Sequence, residues 1–387
     1  MAECGDGRFD FRNWMGNLPV ALHDTPISEL AIPGSHNSFS YSLDPKSEIG
    51  PDADSAVRLL GGIGAAIIYK WSVTQDCSFR DQLVAGVRYF DLRVAPRRTT
   101  GKFHFLHTLF GISVEDGVRE IFEFLREHDK EVVILDFNHF YDMSDEKHTE
   151  LIQKLIDICG EKICLFVGIE NLTLSTMWEN GLQVIVVYHN KMAGDCCQLW
   201  PGHDCIRAPW PNTPSVTKMV AYLEQTTCTC RPVMFHVTQC ILTADTGFIM
   251  SHLTGGVKGD LAKKANPAAL AWLKTKKRGP QGVNIVIADY VQMDDFTRKV
   301  IEINYLDECP KCAGLRPSST ALLLKLVSSL LQNVKQDGGI SEKHSNITSV
   351  KTVDSGSNYS RNVSAVDLDV PSLSKGEIRT VKKGTFQ

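Results

Sequence analysis

Six short apolar runs stop at side chains that can bind or move protons. LAIPG (30–34) is followed by Ser35, His36 and Asn37, and VRYFDLRV (87–94) carries Asp91 and Arg93. FHFLH (103–107) ends in His107, VVILDFN (132–138) ends in Asn138 with His139 behind it, VIVVYH (184–189) ends in His189, and VNIVIADY (283–290) carries Asp289. Any one of these groups alone reads more readily as a buried histidine bonded to backbone or a capping carboxylate. Six together, each where an apolar run stops, point to a shared site. Two imidazoles and a guanidinium suit phosphoryl transfer. One imidazole takes the proton of an attacking hydroxyl, the other protonates the leaving oxygen, and Arg93 offers a forked cation to the charged equatorial oxygens. With an unperturbed pKa of about 6.5, both imidazoles can work near neutrality. No Gly-x-Ser-x-Gly elbow occurs, so a serine nucleophile has no support. These residues alone do not name a substrate.

To deliver their ends to one place the runs must be neighbouring parallel strands. With ICLFV (163–167) and VMFHV (233–237) there are about eight strand candidates, and helical patterns lie between them. The clearest helix is 113–129, with Val114, Val118, Ile121, Phe122 and Leu125 on one stripe and Ser113 placed to cap it. Strand and helix in alternation imply a parallel sheet, and all-apolar runs such as VVIL and VIVV are buried on both faces. Gly61, Gly62 and Gly64 follow no strand and precede no acidic ribose partner, which disfavours a dinucleotide fold. The prediction is an α/β fold of the TIM-like (β/α) barrel type, regular or incompletely closed, with its chemistry at the C-terminal strand ends.

Composition narrows the function classes. The chain has 387 residues, 43% hydrophobic and 22% charged, a globular profile rather than a disordered one. A formal charge of −4 speaks against nucleic acid as a partner. Neither a secretory h-region nor a run of about 18 apolar residues is visible, so a cytoplasmic protein with no transmembrane segment is expected, with the nucleus left open. The 12 cysteines are scattered and are read as free thiols, and the sequons at Asn171, Asn346, Asn358 and Asn362 as unmodified. Residues 1–25 read as a lead, 26–306 as the barrel and 307–387 as a serine-rich, mostly disordered tail. Within the tail, 320–334 reads as an amphipathic helix with Leu323, Leu326, Val327, Leu330, Leu331 and Val334 on one face. Residues 308–387 carry +4 and the remainder −8, so the tail is the expected contact with an anionic bilayer.

LAIPGSHNSFSY (30–41), GVRYFDLRV (86–94), FHFLHTLFG (103–111) and EVVILDFNHFY (131–141), in that order, resemble the X domain of phosphatidylinositol-specific phospholipase C, most of all the small X-domain-only proteins of animals. The resemblance continues through KWSVTQ (70–75), LWPG (199–202), APWPNT (208–213) and IVIADYVQMDDFTRKVIEIN (285–304) and covers roughly 13–306. It implies a phosphoric diester hydrolase that releases diacylglycerol and inositol 1,2-cyclic phosphate from a phosphoinositide at a membrane surface. It also implies that His36 is the general base, oriented by Asp289, and His107 the general acid. Arg93 matches the arginine that replaces calcium in the bacterial enzymes, with Asp91 beside it, and Asn138 stands where the large eukaryotic enzymes have a calcium-ligating Glu. No cofactor and no metal are therefore expected, a guanidinium being a poor neighbour for Ca²⁺. His189 falls near a bacterial inositol-binding arginine.

The sequence departs from the family at Asn37, where metal-independent members carry an Asp that pairs with the general acid, and at Thr108, where Gly is common. Asn37 is also what calcium-dependent members have, so a hybrid calcium site stays open. It further leaves open a catalytically weak phosphoinositide- or inositol phosphate-binding adaptor. A glycerophosphodiester phosphodiesterase is a third reading, but His-Arg-Gly after the first strand is lacking. Cys309/Cys312, Cys228/Cys230 and Cys196/Cys197 with His203 and Cys205 have spacings zinc could use, without a second Cys-x-x-Cys at the usual distance.

Overall fold

The computed structural model describes residues 10–53, 64–227 and 233–306. Gly61 and Gly62, the pairs Cys228/Cys230 and Cys309/Cys312, and the helix read at 320–334 lie outside them.

In chain order the elements are β1 (Ile32–Ser35), α1 (Ala65–Ser72), α2 (Phe79–Val84), β2 (Tyr89–Arg97), β3 (Lys102–His107), β4 (Leu109–Ser113) and α3 (Val114–Glu127). There follow β5 (Val133–Phe140), α4 (Asp145–Cys159), α5 (Leu174–Glu179), β6 (Val184–Tyr188), β7 (Trp200–Pro201), α6 (Gly202–Cys205) and β8 (Ile206–Arg207). The last are α7 (Val216–Thr227), β9 (Phe235–Gln239), α8 (Thr246–Ser251), α9 (Lys263–Leu273), β10 (Ile285–Ala288) and α10 (Phe296–Glu302). The strands run β7-β6-β5-β2-β1-β10-β9-β8, every neighbouring pair parallel. Among the described residues no pairing joins β7 to β8. The result is an α/β barrel left open at that seam, where the two strands are only two residues long each.

Strand register explains how the site is built. Along β5, Val133, Leu135 and Phe137 belong to the outer apolar layer under the helices, whereas Ile134 belongs to the inner one. The same period of two puts Ile285 and Ile287 of β10 inside, with Val286 and Ala288 outside. Continuing the inward register past the apolar residues reaches His36 after Ile32, Asp91 and Arg93 after Tyr89, Asn138 after Ile134, His189 after Val187, and Asp289 after Ile287. Gly34 has no side chain because an added Cβ would lie 2.7 Å from Tyr89 and 2.8 Å from Ile287.

Several expectations need correction. FHFLH is not a barrel stave: β3 pairs antiparallel with β2 and continues into β4, a hairpin that departs from strict strand–helix alternation. ICLFV makes one bridge, Ile163 to Val184, and then leaves the sheet, with Phe166 partly exposed. VMFHV starts late, at Phe235, and Val233 is exposed. On α3 the buried stripe is Val114, Gly117, Val118, Ile121, Phe124 and Leu125, so Phe124 takes the place expected for Phe122. Ser113 does cap α3, accepting from the Asp116 amide at 3.1 Å.

The strand N-termini are closed by residues 10–22, of which Trp14, Met15, Leu18 and Leu22 are buried in the inner apolar cluster. A fully buried ion pair holds them there. Arg88, immediately before β2, donates Nε to Glu131 at 2.8 Å and a second nitrogen to the Arg12 carbonyl. Glu131 in turn accepts from the backbone amides of Met15 and Gly16 at 3.1 and 3.2 Å.

Candidate active site

At the C-terminal strand ends lies a cavity of about 950 Å³ whose walls include His36, Asp91, Arg93, His107, Asn138, His139, His189 and Asp289. Of the candidate site residues only Asn37 is not on its wall; it is fully buried behind His36.

His36 Nδ1 lies 2.7 Å from Asp289 Oδ1. A carboxylate can only accept, so Nδ1 carries the proton and Nε2 is the ring's free lone pair. Around Nε2 stand Asn37 Nδ2 at 3.3 Å and Arg93 Nη2 at 3.4 Å, both donors. The orientation is that of a general base held by a carboxylate, with its basic nitrogen beside a cation.

Asp91 is the hub of this wall. It accepts from the Asn37 amide at 2.8 Å and from Asn138 Nδ2 at 2.6 Å, and lies 3.6 Å from Arg93 Nη2. Burial opposes its charge, but Arg93, His36 and these hydrogen bonds outweigh burial and take its carboxyl down to about 2. Asp91 is therefore an anion at every pH at which the fold is of interest.

His107 faces the same cavity from the tip of the β3–β4 hairpin and donates Nδ1–H to the Ser72 carbonyl at 2.8 Å, at the end of α1. Burial, then the positive charge of Arg93, pushes its pKa down to about 3. Between that value and about 6.5 the unfolded chain holds a proton here that the folded one lacks, so stability falls as pH falls through this window, by about 1 kcal/mol per pH unit. Urea midpoints of wild type and His107→Gln, taken from pH 6.5 down to pH 4, should diverge, with the variant showing the shallower decline. Parallel declines would remove this account.

Three of these side chains are followed by non-glycine residues with left-handed backbone. Asn37 has φ 40°, Thr108 φ 64° and Tyr290 φ 51°. Each turn lifts the chain off its strand directly behind a site residue, and the surroundings hold it there. The Thr108 amide donates to Asp52 at 2.6 Å, Tyr290 donates its amide to the Thr74 carbonyl and its hydroxyl to Val73, and Asn37 donates its amide to Asp91. The KWSVTQ segment also fixes these turns. Within it, buried Gln75 donates to the carbonyls of His36 and Ala288 and accepts from the Val291 amide, tying the first and last strand ends together. Asn37 Oδ1 and Arg93 Nε are buried without a hydrogen-bond partner among the described residues.

His189 Nε2 meets Asp136 Oδ1 at 2.8 Å, and Tyr89 Oη donates to Asp136 Oδ2 at 2.5 Å. Burial lowers the His189 pKa, but the hydrogen bond and charge of Asp136 outweigh it and the net shift is upward. Sequence reasoning misses Tyr89 and Asp136. The signal lies in the period of two, since Asp136 falls between inward Ile134 and inward Asn138, but an acidic residue inside VVILDFN reads at first as the end of the run.

Among the described residues no group of three or more His, Cys, Asp or Glu is disposed to hold a metal ion, and no helix is long and apolar enough to cross a membrane. Cys196, Cys197 and Cys205 are free thiols.

No family model matches the chain. It is 46% identical over 301 residues to mouse PI-PLC X domain-containing protein 2, covering 76% of this chain and 88% of that one. Human PI-PLC X domain-containing protein 3 is 38% identical over 309 residues, covering 78% and 96%. Among solved structures, the phosphatidylinositol-specific phospholipase C from Listeria monocytogenes aligns with a TM-score of 0.56 at 19% identity, over 78% of this chain and 100% of that one. A His-to-Tyr mutant of the phosphatidylinositol-specific phospholipase C from Staphylococcus aureus gives 0.55 at 16%, over 77% and 98%. At these identities the two structures share the barrel fold with this chain.

Proposed function

The chain belongs to the family of PI-PLC X domain-containing proteins, and on that premise we propose that it is a metal-independent phosphatidylinositol-specific phospholipase C. The observation that carries the reading is the juxtaposition of His36, held by Asp289 with Nε2 beside Arg93, and His107 on the wall of the same cavity. In the proposed reaction the inositol 2-hydroxyl attacks the adjacent phosphorus. Its proton passes to His36 Nε2, the new O–P bond forms, and the bond from phosphorus to the glycerol oxygen breaks. That oxygen takes a proton from His107 and leaves as diacylglycerol, with inositol 1,2-cyclic phosphate as the other product. Holding hydroxyl and phosphorus together in one ring makes the step intramolecular.

His107 is neutral in the ligand-free site, and a general acid must carry a proton. Burial is the larger obstacle and Arg93 the second; a phosphodiester anion seated against Arg93 offsets the guanidinium's share and adds a negative charge that favours the proton on His107. The donor set also bears on the metal question. Both oxygens of Asp91 already accept hydrogen bonds, Asn138 presents its NH₂ to them, and Arg93 stands 3.6 Å away. These residues do not fit a calcium ion, and no step is routed through one. Turnover of phosphatidylinositol vesicles should be the same with and without a strong chelator; loss of activity in chelator would overturn metal independence.

A headgroup-binding protein with little turnover is the second reading, favoured by Asn37, a neutral amide with an unpartnered oxygen at the site. Asn37→Asp places an anion beside the His36 imidazole, where the amide nitrogen now stands 3.3 Å from Nε2, and should raise turnover several-fold by stabilising its protonated form. No gain, in a protein whose parent is also inactive, would favour the binding role.

The expected partner is a phosphoinositide lipid at a membrane surface, reached from the cytoplasm.

A further inference from the structure

The cysteines near β7 whose spacing suits zinc do not come together as a metal site. Cys205 is fully buried in the inner apolar cluster, and the exposed His203 imidazole meets Asp204. Cys196 and Cys197 remain, and their thiols turn to one side. Cys196 Sγ donates to Gln198 Oε1 at 3.3 Å, and Cys197 Sγ donates to the same oxygen at 3.7 Å. Among the described residues Cys197 is the one exposed free cysteine. Burial, the largest influence on Cys196, pushes its thiol up, against the Gln198 and Leu199 amides, which favour the thiolate. A small oxidant therefore reaches Cys197 first, with a second sulfur beside it.

The backbone that joins these two residues also fastens the barrel edge. The Leu199 amide donates to the Cys196 carbonyl at 3.0 Å, and the Phe166 amide donates to the Cys197 carbonyl at 2.8 Å. Beyond them, Trp200 Nε1 donates to the Cys164 carbonyl at 2.8 Å, and the Trp200 ring meets Phe166 edge-on with centroids 5.1 Å apart. These contacts hold residues 164–166 against the start of β7, one lip of the open seam. Adjacent Cα atoms lie about 3.8 Å apart, below the roughly 4.4–6.8 Å that disulfides usually span. A bond between Cys196 and Cys197 would therefore strain this peptide and turn its carbonyls. A strained, exposed disulfide is also readily reduced again, which suits a reversible modification.

We propose that Cys196 and Cys197 form a reversible, peroxide-responsive dithiol whose oxidation unfastens the β7 lip of the barrel from residues 164–166. The Cys197 thiolate attacks one oxygen of hydrogen peroxide, the O–O bond breaks, and the departing hydroxide takes up the thiol proton as water, leaving a sulfenic acid. Cys196 then gives up its proton and attacks the Cys197 sulfur. The S–S bond forms, the S–O bond breaks, and a second water leaves, so that two thiols are oxidised and one peroxide is reduced. The proposal is independent of the phospholipase reading, and its test needs no turnover. Full-length protein is treated with one equivalent of hydrogen peroxide, the remaining thiols are alkylated, and the digest is weighed and fragmented. The peptide holding both cysteines should lose two hydrogens between Cys196 and Cys197, in wild type and in Cys205→Ser alike. In Cys196→Ser the loss should vanish and dimedone should label Cys197. On oxidation the Phe166 and Leu199 amides should exchange about tenfold faster or more, and dithiothreitol should restore both mass and exchange. Pairing of Cys197 with any other cysteine, no loss of hydrogen in wild type, or unchanged exchange at Phe166 and Leu199 would overturn the proposal.

Discussion

Replacing His36 by alanine is expected to lower the turnover of phosphatidylinositol vesicles by about 10²–10⁴-fold, the usual contribution of a positioned acid or base. The expectation rests on three features acting together on one ring. Asp289 holds Nδ1 at 2.7 Å, the left-handed turn at Asn37 carries the chain away behind it, and Gln75 clamps its carbonyl. Removing the imidazole leaves the attacking hydroxyl without an acceptor for its proton, while Arg93 still binds the phosphate. The KM should therefore change much less than kcat. His107→Ala should fall in the same range, and the two losses should not add in the double variant, because each residue serves half of one proton transfer sequence. Since His36 is half-buried at the cavity wall and takes no part in the apolar core, the variant should unfold at the same urea concentration as wild type. Unchanged turnover in either single variant would sink the assignment.

The largest expected effect on stability lies at the opposite end of the barrel. Removing the charge of Glu131 by Glu131→Gln strands Arg88 as a fully buried, uncompensated cation, at a cost of about 3–5 kcal/mol. The pair also anchors residues 10–22, because the Glu131 carboxylate accepts from Met15 and Gly16 while Arg88 donates to Phe11 and Arg12. Loss of the carboxylate should loosen the segment that covers the strand N-termini, exposing the apolar surface under Trp14. The expected result is a large drop in the urea midpoint accompanied by faster amide exchange at Met15 and Gly16. Replacing both partners by apolar residues, Arg88→Met with Glu131→Leu, should recover part of the loss, since neither charge then remains buried. A cost below about 1 kcal/mol for Glu131→Gln would show that water reaches the pair.

The apolar runs are legible in the sequence because a strand buried on both faces cannot hide its composition. The site residues are legible for a related reason: a barrel puts its functional groups where the inward register leaves the apolar core, so His36, Asp91, Arg93, Asn138, His189 and Asp289 stand out as polar groups at the end of each run. The motifs around them carry the family resemblance without any geometry. Short and antiparallel elements are not legible. β7 and β8, two residues each, are too brief for periodicity, and the direction of β3 is set by the tight return at 98–101, where the Gly101 amide donates to the Arg97 carbonyl, which strand composition does not encode. Nor is the N-terminal lead readable as part of the barrel, because Trp14 and Met15 are held by hydrogen bonds to residues 72 and 116 positions away in sequence.

By itself, the sequence determined which side chains are available and at which strand ends they sit. The tertiary structure decided what each of them can do. Asp289 lies 253 residues from His36, yet it fixes which nitrogen of that ring is basic. Arg93, further along the inward face of β2 than Tyr89, acquires its effect on His107 only when the hairpin folds over it. Asp136, inconspicuous in the sequence, joins Tyr89 Oη and His189 Nε2 in one hydrogen-bonded group because β2 and β6 flank β5 and bring those residues to either side of it. Residue type is local, whereas protonation state, tautomer and recognition depend on distances and burial, and those exist only once distant strands have been set side by side.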